Sequence, residues 1–425
     1  MELVTLNRNT LLPERVVEVE ASLVWAERYS NEGDFLLKAH DISKAMSLLP
    51  EDTYVGLGGS NVPMIVETHK LRKPLNDAPY VEITGRTLET LLERRVSVKG
   101  PIPEALPLDR KPWEIPAGRA SDAAYRAIRE VIGDTTARGT GLPAVPYSSL
   151  VSPNDAFRNP DGSQLFDLPR PTDFVNTPNE WVDSQTYGIG AVVHHANYIW
   201  KALTSNTASP PADNPTHWEK TGDWYPFEVA GGQLYTKVME MITSSRRGLR
   251  VSRPSRGGPP RFTMEIYNGV DRTEQYSVDV AFDQFDDATY LLTKVGSANM
   301  AYVYGSEGSS IVPKNNFSVQ PSGLCRRVLY VDESGNAEVN SPETMRSRGI
   351  FDLYKHNATA LFEGETSVQI ASDYNRGYFL GDIISLVGDY GLTSKVRVVE
   401  FIRSIDTSGY KAYPTFEEID IYATD

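Results

Sequence analysis

The chain has 425 residues, of which 40% are apolar, and its formal net charge at pH 7 is −14. That length exceeds one small core and predicts about two to four domains. The acidic balance excludes a protein that coats nucleic acid, because such a protein needs Lys and Arg to neutralise phosphates. The single cysteine, Cys325, excludes an intrachain disulfide and a Cys-rich metal site.

Residues 1–20 mix charged and apolar positions and read as neither a signal peptide nor a membrane span, so the expectation is a chain made and folded in the cytoplasm. With 22 tyrosines, 28 prolines and 32 glycines, the composition leans toward strands and turns. Residues 16–28 alternate as strands, 29–34 form a polar turn, and 34–39 resume as a strand. Residues 42–49 read as a helical turn before Pro50. Residues 54–57 and 63–71 are strands around a Gly-Gly-Ser-Asn turn, and 79–84 is another strand. About five or six such strands at short spacing predict a small barrel or split barrel.

The stretch Gly85-Arg86-Thr87-Leu88 ends that last strand and leads into Leu91, Leu92, Arg94, Arg95 and Val96. The spacing predicts an amphipathic helix capped by Thr87, with Leu88, Leu91, Leu92 and Val96 on one stripe. Residues 97–118 are Pro-rich and read as extended connector. Residues 120–133 read as a helix capped by Ser121, with Ala124, Ile128, Val131 and Ile132 inward, and 139–170 carries no assignable pattern.

Residues 176–222 are dense in aromatics: Trp181, Tyr187, Tyr198, Trp200 and Trp218. So short a unit needs large aromatic side chains to build a core. Residues 232–244 form an amphipathic helix with Leu234, Val238, Met241 and Ile242 inward. Arg246, Arg247, Arg250, Arg253 and Arg256 follow in a Gly/Pro/Ser-rich stretch. Phosphate, nucleic-acid or tape-measure contact would explain them, but a solvated loop after a helix C-terminus is the reading preferred. A hairpin is expected from 249–251 and 262–267, strands at 276–282, 299–304 and 326–330, and a strand or helix at 288–294. A helix over 341–361 and a strand at 365–370 follow. Gly381-Asp382 reads as a sharp corner into a buried strand. Residues 395–405 form a long strand with Val396, Val398, Phe401 and Ile405 inward, and 410–416 closes the last hairpin.

Catalytic patterns are sparse. Of the six histidines only His194 and His195 are paired, and strand neighbours face opposite sides. Asp283, Gln284, Asp286 and Asp287 lack calcium-loop spacing and read as an acidic turn. No phosphate-loop, nucleophile-elbow or metalloprotease motif occurs, so no catalytic, cofactor or metal residues are assigned.

Four stretches together carry a family resemblance. The Gly-Arg-Thr-Leu turn with its Leu-Leu-x-Arg-Arg continuation (85–95) resembles minor tail proteins that form the baseplate hub of long-tailed siphophages. So do Trp25-x-x-x-Tyr29-x-x-x-Gly33-Asp34-Phe35, Tyr378-x-Leu380-Gly381-Asp382-Ile383, and Gly391-Leu392 followed by Val396-Arg397-Val398-x-Glu400. Residues 176–222 resemble the small chitinase-type carbohydrate-binding module, with Trp200 where a Tyr is usual and Leu203 and Thr204 where exposed aromatics often stand.

The hub resemblance implies a mainly β, α+β chain. Its parts would be an N-terminal hub β-barrel at 1–100, a connector at 101–175, a carbohydrate-binding-like module at 176–222, a mixed α/β hub domain at 223–324 and a C-terminal hub β-barrel at 325–425. It implies a structural virion protein at the tail tip, assembled as a homotrimer in the host cytoplasm, with no enzymatic role and no cofactor. Implied partners are the distal tail protein ring, the tape-measure protein and other tail-tip or fibre proteins, with DNA only passing through the lumen. Host surface glycan is the implied ligand of Tyr198, Trp200, Tyr187, Trp218 and Trp181, stacking sugar on an aromatic face. The competing readings from residues alone are a carbohydrate-active hydrolase and a lectin or adhesin.

Overall fold

The computed structural model describes residues 2–418 apart from 20, 76–77, 98–112, 117–120, 122–123, 126, 130–156, 172–178, 196–197, 224–225, 230–231, 255–256, 280–284, 315–320, 337–338, 357–358, 367 and 388–392. The expectations for Val131, Ile132, Arg256, Asp283, Gln284, Gly391, Leu392, 98–112 and 139–156 lie outside the described residues.

The architecture is mainly β with a few short helices, as the composition implies. Strands β1 (Leu3–Leu6), β2 (Pro13–Val17), β3 (Ser22–Arg28) and β4 (Asp34–Ala39) come first. Helix α1 (Ile42–Leu48) follows, with the Asp41 side chain accepting from the Lys44 N–H at 3.0 Å as its N-cap. Then come β5 (Tyr54–Leu57), β6 (Pro63–Arg72) and β7 (Tyr80–Thr87). The alternating inward positions Leu23, Trp25, Phe35, Leu37, Met64, Val66, Val81 and Ile83 are all buried and share one core beneath a curled sheet. β1 and β2, which escaped the strand pattern, pair with each other, and β1 also pairs with β5.

Two separate barrels do not form among the described residues. A single 13-stranded sheet runs instead through β2-β1-β5-β6-β7-β4-β3 and on into the C-terminal strands Thr393–Asp406, Gly409–Glu418, Thr359–Thr366 and Phe285–Thr293. The crossover is an antiparallel pairing of β3 with Thr393–Asp406, in which Arg28 lies opposite Glu400 and Leu23 opposite Ile405. Val396, Val398 and Phe401 are buried as expected. Their parity changes between 398 and 401 because a bulge shifts the register between Val398 and Glu400. Gly381, at φ +90°, turns the chain into the buried strand Ile383–Val387, and a side chain there would collide with the Tyr29 ring.

A second core lies under the first sheet. Leu88, Leu91 and Leu92 pack there with the helix Leu234–Ser244, with the helical residues Ala124, Tyr125, Ala127 and Ile128 and with the hairpin Gly248–Ser252/Phe262–Tyr267. The Leu88–Arg94 turn is a 3-10 helix rather than the expected α-helix. Five consecutive residues, Leu88 to Leu92, are buried, so the segment is enclosed all round and no amphipathic stripe exists. Val96 leaves that stripe for a short strand, Val96–Ser97, paired to Gly232–Gln233. Ser121 is itself helical and buried, so it lies within the helix rather than capping it.

Other boundaries move for tertiary reasons. Trp113–Pro116, expected as connector, pairs with Pro226–Val229. Phe166–Asp167 adds a parallel strand to Phe262–Thr263. The helix expected over 341–361 is Pro342–Lys355, closed at its start by a Ser341/Thr344 capping box. The following residues are claimed by the large sheet as Thr359–Thr366, and Val368–Asp373 is helix instead of strand. Asp286 and Asp287 lie on a strand, with Asp286 opposite Glu365, rather than in an acidic turn. The helix Pro342–Lys355 covers the inner face of a three-stranded sheet of Met300–Gly305, Gly308–Pro313 and Val328–Asp332.

Residues 179–223 form their own four-stranded sheet, Asn179–Glu180, Val192–His195, Tyr198–Ala202 and Trp218–Asp223, with a two-stranded ribbon beside it. Among the described residues no helix is long and apolar enough to cross a membrane.

Candidate functional site

The 85–95 stretch and the 25–35 stretch, singled out in the sequence, meet in space. Gly85 sits opposite Phe35 on β4 and opposite Val66 on β6, and a Cβ there would collide with the Ile65 carbonyl and the Phe35 ring. Arg86 is clamped by two carboxylates. Its Nε bonds Glu67 at 2.7 Å, and its two terminal nitrogens bond Glu93 at 2.8 Å each. Thr87 does not cap the following turn with its side chain. Its hydroxyl accepts from the Gly33 N–H at 2.9 Å and donates to Glu89, tying β7 to the β3–β4 turn.

On the other side of that turn, Trp25 stacks on Phe35 at 5.9 Å, and Tyr29 is buried. The Tyr29 hydroxyl donates to the Arg246 carbonyl at 3.1 Å and accepts from Arg397 at 3.1 Å. Arg397 also bonds the Gly381 carbonyl at 2.9 Å. Asp382 accepts from the N–H groups of Val270 and Phe379 and pairs with Arg272 at 2.5 Å. The four motifs therefore fasten the two ends of the chain together and to the segment between them.

The centre of the junction is an ion pair that sequence reasoning missed. Glu27 and Arg403 meet at 2.5 Å with side chains only 3% and 7% exposed. Glu27 also accepts from Trp25 Nε1 at 3.2 Å and from the Tyr374 hydroxyl at 3.0 Å. Tyr374 stacks on Phe401 at 3.8 Å, and Arg403 lies over both rings. Burial opposes the Arg403 charge, but Glu27 outweighs it and holds the guanidinium protonated. Burial and the Glu27 charge push the Tyr374 phenol well up, so it remains a donor. The signal for both charges was parity: Glu27 follows Leu23 and Trp25 in phase, and Arg403 lies between Phe401 and Ile405. A buried pair of this kind adds little net stability, whereas removing one partner leaves the other charge buried and uncompensated.

Glu89 is a second buried carboxyl at the rim of this junction. Burial pushes it up to about 7, and Oε2 has no partner among the described residues. A cleft of 530 Å³ runs between Glu27, Glu89, Arg250, Arg253 and Tyr374. Three of the arginines expected in a solvated loop, Arg247, Arg250 and Arg253, are built into this interface instead. Arg247 is buried, Arg250 pairs with Glu265 at 2.9 Å and lies over the Tyr267 ring, and Arg253 donates to the Ser60 carbonyl.

The aromatic module is built differently. Tyr187 and Trp218 are buried with Val193 and Ala202 and meet edge to face at 5.4 Å, so neither ring offers a free face. Trp218 Nε1 donates to the Ser209 carbonyl at 2.8 Å, and the Tyr187 hydroxyl accepts from the Val182 N–H at 2.7 Å. Trp181 and Trp200 are half-buried against that core. Trp181 meets the His195 ring at 5.0 Å, and Trp200 Nε1 bonds the His195 carbonyl at 3.0 Å. Tyr198 lies on a central strand of the module, opposite His195 and Asp223; its side chain lies outside the described residues. Among the described residues no group of three or more His, Cys, Asp or Glu side chains could hold a metal ion.

Three solved structures are similar across nearly their whole length. The 43 kDa tail protein of prophage MuSo2 from Shewanella oneidensis is 10% identical at a TM-score of 0.46, with 99% of this chain and 98% of that chain covered. A tail protein from Neisseria meningitidis MC58 is 8% identical at 0.48, covering 99% and 96%. Prophage tail protein gp18 from Listeria monocytogenes EGD-e is 7% identical at 0.44, covering 98% and 94%. A search of curated proteins finds no match. The family model described as Siphovirus ReqiPepy6 Gp37-like protein matches residues 7–416, which meets the expectation of a long-tailed phage protein. The chain belongs to the siphovirus ReqiPepy6 Gp37-like family.

Proposed function

We propose that this chain is a structural protein of the phage tail tip, and that it forms a trimeric hub closing the distal end of the tail. The observation that carries the reading is the family match over 7–416, which runs through both halves of the continuous sheet and the module between them. A structural element under load benefits from one sheet fastened by non-local bonds, because no loose linker then separates its two ends. In this reading segments 1–100 and 325–425 supply the paired hub halves. The distal tail ring, the tape-measure protein and fibres are its neighbours, and DNA passes without sticking to an acidic wall. The module at 176–222 is displayed outward toward host glycans, with Trp200, Trp181 and Tyr198 as the contact residues and Trp218 and Tyr187 as the core that holds them. The role calls for no enzyme, cofactor or metal.

Light scattering of the purified chain across a concentration series tests the assembly. A particle of three chain masses, or one that forms as concentration rises, is the expected result. A monomer at every concentration, and again on addition of its tail-ring neighbour, would sink the trimeric hub.

A further inference from the structure

Apart from the junction cleft, a second hollow opens on the far side of the Leu88–Arg94 turn, with a volume of 360 Å³. Its described lining holds Arg8, Arg94, Arg95 and Arg158 against one carboxylate, Asp52, which is four positive charges to one negative, or net +3. This stands out in a chain whose net charge is −14. The single carboxylate is already engaged: Asp52 pairs with Arg94 at 2.6 Å, and its backbone carbonyl accepts from Arg8 at 2.9 Å. The Arg158 side chain donates to the Gly162 carbonyl at 3.2 Å, and Arg95 lies over the Phe157 ring at 4.3 Å. Arg8, Arg94 and Arg158 are exposed, so their heads stand at the rim. The base is apolar, formed by Ile65, Leu91 and Leu165 with the Tyr54 ring. Burial pushes the Tyr54 phenol up while Arg8 and Arg94 pull it back, so the positive field reaches into the hollow.

We propose that this hollow is a docking site for an acidic polypeptide segment of a neighbouring protein, carrying an aliphatic or aromatic anchor between its carboxylates. The anchor covers Ile65, Leu91 and Leu165, and the carboxylates take bidentate bonds from the rim guanidiniums. Nucleic acid is the weaker fit. A phosphate chain has no use for an apolar base and must approach a strongly acidic molecule. The site goes beyond the hub reading and stands whether or not the chain trimerises.

The test titrates a fluorescein-labelled peptide, Asp-Ile-Glu-Tyr-Asp-Ile-Glu, into the full-length chain and follows anisotropy. Its counterpart with Asn and Gln at the acidic positions and a single-stranded oligonucleotide are run beside it. The acidic peptide binds, the neutral one binds at least about tenfold more weakly, and raising the salt weakens the acidic one. Arg8→Gln combined with Arg158→Gln, both surface changes, lowers its affinity by about tenfold or more, and the Lys versions of both restore part of it. Equal binding of acidic and neutral peptides overturns the proposal, as does full affinity in the double Gln variant. Binding of the oligonucleotide at these arginines in place of the peptide would assign the hollow to nucleic acid and overturn it too.

Discussion

The sheet junction and the aromatic module hold themselves together by opposite means. At the junction, buried charges and hydroxyls link residues far apart in the chain: Arg403 to Glu27, Tyr374 to Glu27, Tyr29 to Arg246 and Arg397. The module relies on local packing, with Trp218, Tyr187, Val193 and Ala202 forming its hydrophobic cluster among the described residues. Removing one partner from the first strands a charge in the interior. Removing one ring from the second empties a core that has little else.

The largest effect is therefore expected at the ion pair. Glu27→Ala leaves Arg403 buried without its carboxylate and should cost about 3–5 kcal/mol across the whole chain, seen as a lower chemical-denaturation midpoint. If the joint change of Glu27→Met with Arg403→Met recovers most of the loss, the pair serves strand registry rather than net stability, and the contrast with the module sharpens. An unchanged midpoint for the single variant would break it.

Trp218→Ala is expected to be equally severe but confined. Loss of a buried Trp costs about 3–5 kcal/mol, which so small a core cannot absorb. The module should lose its ordered aromatic signal in near-ultraviolet circular dichroism. The main unfolding transition should stay within about 0.5 kcal/mol of the parent, because the two cores share no described residues. A main transition that collapses with the module would show the two regions to be one cooperative unit.

Much of the junction could be read in the sequence, and what could not be read was non-local. Gly85, Thr87, Gly33, Asp34, Gly381 and Asp382 stood out as motifs, because tight turns and close backbone approaches limit which residues fit. The inward positions of the 393–406 strand were legible although a bulge reverses their phase. What those motifs fasten was not legible: parity places Glu27 and Arg403 each on an inward strand face, but they are 376 positions apart and nothing local says that they pair. The Leu88–Arg94 turn deceived for the same reason. Its Leu spacing is amphipathic, yet the second core wraps Glu89 and Thr90 as well. Two barrels were expected from the family resemblance, with strand spacing supporting only the N-terminal one, and only pairing between the ends reveals one sheet. In the module, composition correctly named the aromatic set but could not separate the buried Trp218 and Tyr187 from the half-buried Trp181 and Trp200.

Glu89 gives the next effect, a dependence on pH. Its carboxyl is pushed by burial from an ordinary 4.5 to about 7. Below pH 4.5 both folded and unfolded forms carry the proton, and Glu89 favours neither. Between 4.5 and about 7 the unfolded chain releases that proton first, so stability falls as pH rises and levels off above about 7. Glu89→Gln removes this slope. At pH 8 the variant should be the more stable by on the order of 3 kcal/mol, converging with the parent near pH 4. A parent and variant with the same gap at pH 4 and pH 8 would show that Glu89 does not titrate in this range.

The smallest effect concerns the module's exposed side and is visible only as binding. Trp181 and Trp200 are the described rings of the predicted set that retain part of a face, and a sugar stacked on one ring is worth about 1 kcal/mol. Soluble chitin and cellulose oligosaccharides should shift the tryptophan emission of the parent. Trp200→Ala should weaken that response several-fold while leaving the main unfolding transition in place. Tyr187→Phe separates the two roles of the aromatic set, because it deletes only the hydroxyl that accepts from Val182 and keeps the ring against Trp218. If the ring is core, this change should leave affinity within about twofold of the parent. Should Tyr187→Phe abolish binding while Trp200→Ala does not, the buried side of the module would be the one that meets sugar, and the division of its aromatics into core and contact would have to be reversed.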